Sequence, residues 1–255
     1  MYLICLIIAV CSSIIGSISG IGGGIIIKPI MDAITEFPPA SISFMSGCTV
    51  LSMALVSYIR NIKSNIKLDH LTTIWIAMGA CLGGYCGKVL FCAISEHSNI
   101  TLAQSIILLA INIFVFIYLK YKYSIKTLHI KNNIICAFIG FILGSSSAFL
   151  GIGGGPINIV ILSYFFSMDA KQSARNSLFI ILFSQTTSFF TTVFTNTVPS
   201  FEIMGLILMC LGGAAGAVIG SLIEHKMNNT STEKFFNILM IFLIGINVYN
   251  VICEF

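Results

Sequence analysis

The chain has 255 residues, 57% of them hydrophobic and 9% charged, with a mean hydropathy of +1.01. This is the composition of an integral membrane protein rather than a water-soluble domain. The net charge of +4 is spread over short loops with no basic domain, which excludes a nucleic-acid partner.

In chain order, apolar stretches run over about residues 2–31, 41–59, 71–94, 101–119, 133–163, 172–194, 202–223 and 235–253. A single span needs about 20 apolar residues, so six of these fit one helix each. The first and the fifth are too long for one upright helix. Residues 2–18 follow no basic region and run straight into glycines, so they read as membrane helix rather than as a cleaved signal. The first long stretch is interrupted by Gly20-Ile21-Gly22-Gly23-Gly24 and the second by Gly151-Ile152-Gly153-Gly154-Gly155, the same word 131 residues on. A glycine-broken apolar segment recurring in both halves of a membrane chain is the pointer to a transporter's substrate site. Helical arms are expected near 3–18 and 24–34, and near 133–149 and 155–166, with Pro156 in the opening position of the last.

The repeat continues beyond the glycines. Ser46 matches Ser177 and Ser57 matches Ser188 at the same offset. Cys81-Leu82-Gly83-Gly84 then matches Cys210-Leu211-Gly212-Gly213 at an offset of 129, which also pairs Gly87 with Gly216.

Lysine and arginine positions choose the threading. Eleven of the 13 basic residues fall in four connections: Arg60, Lys63 and Lys67; Lys120, Lys122, Lys126 and Lys131; Lys171 and Arg175; Lys226 and Lys234. The alternate connections carry Asp32, Glu36, Glu96 and Glu202 instead. If all eight stretches cross, the basic loops fall on both sides. If the two glycine-broken stretches dip in and return, all eleven share one side, which is then cytoplasmic. The expected fold is therefore all-α and polytopic: two inverted repeats, each a glycine-tipped re-entrant hairpin plus three transmembrane helices. Residues 1–120 form the first repeat, 121–132 a basic cytoplasmic linker and 133–255 the second, all in one integral membrane domain. Both termini lie outside, and the two tips meet near the midplane.

Consecutive glycines leave backbone N–H groups unshielded where a returning helix starts, and the positive end of the helix dipole adds to them. Such a tip binds oxyanions without a charged side chain. The alternative is that the glycines only allow close helix packing. Gly22, Gly23, Gly24, Gly153, Gly154 and Gly155 are the expected backbone ligands. Ser46 and Ser177, expected to open the helices that follow, offer hydroxyls, unless these only cap or bond backbone. Asn176 offers an amide. Thr49, Gln185 and Thr186 are weaker pore candidates and read first as interhelical hydrogen bonds. Lys28, one turn past Gly24, either attracts the anion or snorkels outward. Lys88 is read as snorkelling, and Arg175 as a charge at the edge of a cytoplasmic loop, with drawing anions to the inner mouth as its alternative role. The nine cysteines show no CxxC pair, and the four histidines (His70, His97, His129 and His225) lie near membrane ends or loops. No metal, cofactor or catalytic constellation is expected.

In its duplicated GxGGG words, the small-residue and serine segments after them (Ser46; Ala174 to Ser177) and the later Gly-x-x-Gly helix of each half, the chain resembles the sulfite exporter TauE/SafE family of membrane permeases over essentially its whole length. It departs from that pattern at Lys28-Pro29 and Met45-Ser46-Gly47. The resemblance implies a secondary carrier, commonly outward-directed, of small sulfur-containing anions such as sulfite, sulfonates or related organic acids, with the lipid bilayer as its surroundings. A bacterial plasma membrane, a proton or sodium coupling ion and a homodimer fit the same reading. Its rivals are an anion channel of the same architecture and a membrane-embedded thiol or sulfur transferase. In the inverted threading, a single cysteine introduced near residue 228, in a background without native thiols, reacts with an impermeant reagent from the cytoplasmic side; reaction from the outside alone rejects it.

Overall fold

The computed structural model describes residues 2–35, 37–62, 70–95 and 100–254. Glu36, Lys63, Lys67, Glu96 and His97 lie outside the described residues, and so do the loop positions expected for them. The elements are α1 (Tyr2–Ser19), α2 (Gly24–Ile34), α3 (Pro39–Ile62), α4 (His70–Ser95), α5 (Ile100–Tyr121), α6 (Asn133–Leu150), α7 (Gly155–Phe166), α8 (Ala170–Phe194), α9 (Ile203–Lys226) and α10 (Asn229–Glu254), plus one 3₁₀ turn at Lys122–Ser124. Every regular element among the described residues is helical.

Eight of the helices, all but α2 and α7, are long and apolar enough to cross a membrane. The arms expected on either side of each glycine word are present within a residue or so of their expected limits. They are unequal, however. α1 and α6 have 18 residues each, about 27 Å at 1.5 Å per residue, close to the ~30 Å of a bilayer core. α2 and α7 have 11 and 12 residues and reach only about half that depth. Each broken stretch is thus a long leg and a short return.

Local chemistry explains where the helices begin and end. The first chain break uses positive φ at Gly20 (74°) and Gly22 (86°), and the second at Gly151 (66°), Gly153 (77°), Gly154 (113°) and Gly155 (63°). Left-handed backbone of this kind costs about 1–2 kcal/mol for a residue with a side chain, so only glycine turns the chain back this tightly. The side-chain oxygen of Asn132 accepts from the N–H groups of Ile134 and Ile135 and starts α6. Asp169 and Gln172 form a capping box at the start of α8. The end of α7 is closed by the basic linker: Leu128 N–H donates to Tyr164 O (2.8 Å) and Ile130 N–H to Phe165 O (3.1 Å). These carbonyls are among those a helix end leaves open.

The two halves exchange helices. α6 packs along α4, and α1 packs in the same manner along α9; α8 lies on α4 as α3 lies on α9. Between α3 and α8 sits an apolar layer of Val50, Met53, Leu178 and Ile181. A second core of Ile21, Ile25, Ile152, Val115 and Leu243 surrounds the glycine tips between α5 and α10. The glycines of α4 and α9 make the exchange possible. Gly79, Gly83 and Gly87 lie against the carbonyls of Ala137, Phe141 and Ser145 in α6. Gly212, Gly216 and Gly220 lie against those of Leu6, Val10 and Ile14 in α1.

Ala137, Phe141 and Ser145 are 131 residues after Leu6, Val10 and Ile14, so the glycines doing the same work are 133 apart. The 129-residue offset of the Cys-Leu-Gly-Gly match is therefore not the structural one; it is displaced by one helical turn. The reason is that a small residue every fourth position gives a ridge that matches itself after a one-turn slip, and only the packing partner fixes the register.

A Cβ at Gly83 would strike Phe141 O, whereas one at Gly245 would meet nothing within 4 Å. Gly83→Ala is expected to lower stability by about 1–3 kcal/mol through overpacking, and Gly245→Ala to leave it unchanged or raise it by about 0.5–1 kcal/mol. Thermal melts of the two variants in the same detergent check this.

Candidate functional site

The two glycine tips touch backbone to backbone. The Gly155 N–H, first amide of α7, donates to Ile21 O at 3.0 Å. A Cβ at Gly24 would strike the carbonyl of Ile152, and one at Gly22 would lie 3.1 Å from Gly153 O. Gly23 is packed beneath α1, where a Cβ at Gly16 would be 2.5 Å from its nitrogen. All six expected glycines, Gly22 to Gly24 and Gly153 to Gly155, are buried. The structure brings them together, as the repeat suggests, but the leading amide of α7 is already engaged by the opposite tip.

Ser46 and Ser177 do not open their helices. Each is the eighth residue of its helix, α3 or α8, and each is fully buried. The Ser46 hydroxyl has no hydrogen-bond partner among the described residues. Ser177 Oγ accepts from Asn158 Nδ2 at 3.3 Å, and Asn158 Oδ1 is left without a partner. Asn158 lies on α7, one turn past the second tip, and the sequence reading missed it. Its counterpart 131 residues earlier is Ile27, so the repeat gave no signal. A polar residue within an apolar returning arm was the cue available. Asn176 is spent on structure: its Oδ1 accepts from Thr73 Oγ1 (2.6 Å) and its Nδ2 donates to Gln172 O (2.8 Å). Thr49 and Thr186 donate to carbonyls of their own helices, Met45 O and Leu182 O, rather than across helices. Gln185 does bond across, donating to Ser147 Oγ on α6 at 3.2 Å.

Three cations are buried among the described residues, and the structure revises the reading of each. Lys28 is 2% exposed and does not snorkel. Its ammonium donates to Gln104 Oε1 and to Leu150 O, while Gln104 Nε2 donates to Phe149 O at 2.7 Å. Together they satisfy the last carbonyls of α6, the negative end of that helix dipole. Arg175 is not at a loop edge. It lies within α8, 5% exposed, and its guanidinium grips Glu224 of α9, with Nη2 3.0 Å from Oε2. Lys171 joins the same carboxylate at 3.6 Å.

Lys88 is buried as well. It is 8% exposed and lies over the Phe91 ring, 4.9 Å from its centroid. It lines a cavity of about 30 Å³ between α3, α4, α8 and the second tip, together with Ser43, Gln185, Ser188, Thr192 and Gly151. Among the described residues no group of three or more His, Cys, Asp or Glu is arranged to hold a metal.

Helices of spanning length, two glycine breaks that meet at their tips and a reciprocal packing of helices between halves define a polytopic α-helical membrane protein. The family profile described as "Sulfite exporter TauE/SafE" matches residues 5–248, nearly the entire chain, and the protein belongs to that family of transporters. No curated protein and no solved structure matches the chain.

The Lys28 geometry makes a stability claim. Lys28→Met leaves Leu150 O and the Gln104 amide oxygen short of a donor, and is expected to destabilise by about 1–3 kcal/mol. Gln104→Leu should do about the same, and the double variant should cost less than the sum of the two. Additive losses in thermal melts would separate the residues and refute the shared cap.

Proposed function

We propose that the protein is a secondary carrier of small sulfur-containing anions, such as sulfite, sulfonates or related organic acids, working in the cell membrane. In this reading residues 1–120 and 133–255 are inverted repeats joined by the basic segment 121–132 on the cytoplasmic side, and both termini are outside. The anion path crosses the midplane at the glycine tips. Rocking of one repeat against the other exposes the site to one side and then to the other, coupled to a proton or sodium ion.

The observation that carries the proposal is the contact of two equivalent tips through backbone alone, in a chain of the TauE/SafE family. Backbone without side chains is tolerated at that depth only inside protein or beside a water-filled path. At the tips themselves, among the described residues, one backbone hydrogen bond, Gly155 N–H to Ile21 O, joins the two breaks, so parting the tips costs little by itself. No step of chemistry on the substrate is needed, which fits a transporter rather than a transferase.

Purified protein in proteoliposomes is expected to give saturable flux of sulfite or of a short alkyl sulfonate, and labelled anion should exchange against unlabelled anion placed on the opposite side. Flux that rises linearly with concentration and shows no exchange assigns a channel. No flux for any of sulfite, sulfate, thiosulfate, sulfonates and carboxylates overturns the proposal.

A further inference from the structure

We propose that the Lys88 cavity is an oxyanion-binding site set on one face of the second glycine tip. This rests on the carrier reading and gives its substrate a place.

The cavity wall offers donors to an anion and no carboxylate among the described residues. Lys88 is the strongest of them. Lys28 is bonded to the Leu150 carbonyl and the Gln104 amide, and Arg175 to a carboxylate. Lys88 has neither among the described residues, and its neighbour is the face of Phe91. A buried ammonium without a counter-ion is costly, and an anion bound beside it removes that cost. Independently, the Ser43 hydroxyl on α3 is 7% exposed, lines the same cavity and has no hydrogen-bond partner among the described residues. It sits at the second tip, 3.0 Å from where a Cβ on Gly151 would be. A side chain at 151 would crowd this hydroxyl. The Ser188 hydroxyl and the Gln185 amide complete the wall.

A volume of about 30 Å³ holds roughly two or three waters at about 10–15 Å³ each. That suits one sulfite or the head of a sulfonate and leaves little room for a long organic tail.

The equivalent place beside the first tip is built differently. The structural offsets put Ser221 opposite Lys88, Glu224 opposite Phe91, Arg175 opposite Phe44 and Ala174 opposite Ser43. There the cation is already neutralised by Glu224. A Cβ at Gly20 would fall 2.5 Å from Ala174 O, and Ser17 and Ser57 are hydrogen-bonded at 2.9 Å. One face of the paired tips is therefore sealed and self-neutralised, and the other keeps a cavity with an uncompensated positive charge. In the proposed threading the Lys88 face opens to the outside.

Equilibrium binding of sulfite and of methanesulfonate to purified, detergent-solubilised protein at fixed ionic strength tests the site. Lys88→Met is expected to weaken both by at least about tenfold, equivalent to 1.4 kcal/mol. Lys88→Arg should fall between Lys88→Met and the parent. Ser43→Ala should weaken binding by about fivefold, one hydrogen bond of about 1 kcal/mol. Anion-free Lys88→Met should melt at or above the parent temperature, since it removes an uncompensated charge, so weak binding is not unfolding. Cys48 lines the same cavity and Cys11 is exposed on α1. Methanesulfonate should slow iodoacetamide alkylation of Cys48 but not of Cys11, and Lys88→Met should abolish that protection. If the parent transports sulfite while Lys88→Met and Ser43→Ala bind it as the parent does, the cavity is not the site and the carrier reading stands. If the parent neither binds nor transports any of these anions, both fail.

Discussion

The fold turns on two helix breaks whose open backbone ends are buried and must be satisfied within the protein. In a bilayer each free N–H or C=O must find a partner within the protein. The chain breaks twice, and the two breaks are pressed against each other so that one end supplies what the other lacks: Gly155 N–H meets Ile21 O. Only glycine allows the backbones to come this close and to turn with positive φ. The ends that do not face the opposite tip recruit side chains or loops. Lys28 and Gln104 close α6, and the segment before α6 closes the end of α7.

That requirement sets the packing around it. The long legs α1 and α6 are each gripped by a helix from the other half, along glycine ridges on α9 and α4. Lipid tails are as apolar as leucine, so burying hydrophobic surface does not by itself drive helices together in a bilayer. Close backbone approach and dispersion do, which is why glycines rather than large apolar residues mark these seams. The exchange ties each tip to a helix of the opposite half.

The buried cations show how one kind of charge takes different roles through its neighbours. Lys28 completes a helix end. Arg175 holds α8 to α9 through Glu224. Lys88 faces an aromatic ring and a cavity with hydroxyl groups. Residue type alone distinguishes none of these, because each is a long cation within an apolar stretch. What differs is the partner: Gln104 and Leu150 for Lys28 and Glu224 for Arg175 come from far away in sequence, whereas Lys88 has Phe91 one turn on and a cavity walled by other helices.

The sequence by itself determined the membrane character, the helices and their breaks, the duplicated tips and the family. These are properties of composition, apolar length and glycine position along the chain, which act locally or repeat at a fixed spacing. Asn132, Asp169 and the glycine words mark helix ends by chemistry within a few residues. Tertiary structure decided the rest. It moved the second-half glycines one turn from their apparent match, because a ridge of small residues fits itself after a slip of one turn. It placed Ser46 and Ser177 inside helices and gave Asn176 to Thr73. It brought in Asn158, which has no counterpart in the repeat. It took Lys28 and Arg175 into internal bonds and turned Lys88 from an assumed surface anchor into the wall of a cavity. A charge or hydroxyl becomes a site only through what stands opposite it, and in this fold what stands opposite comes from another helix, often from the other half of the chain.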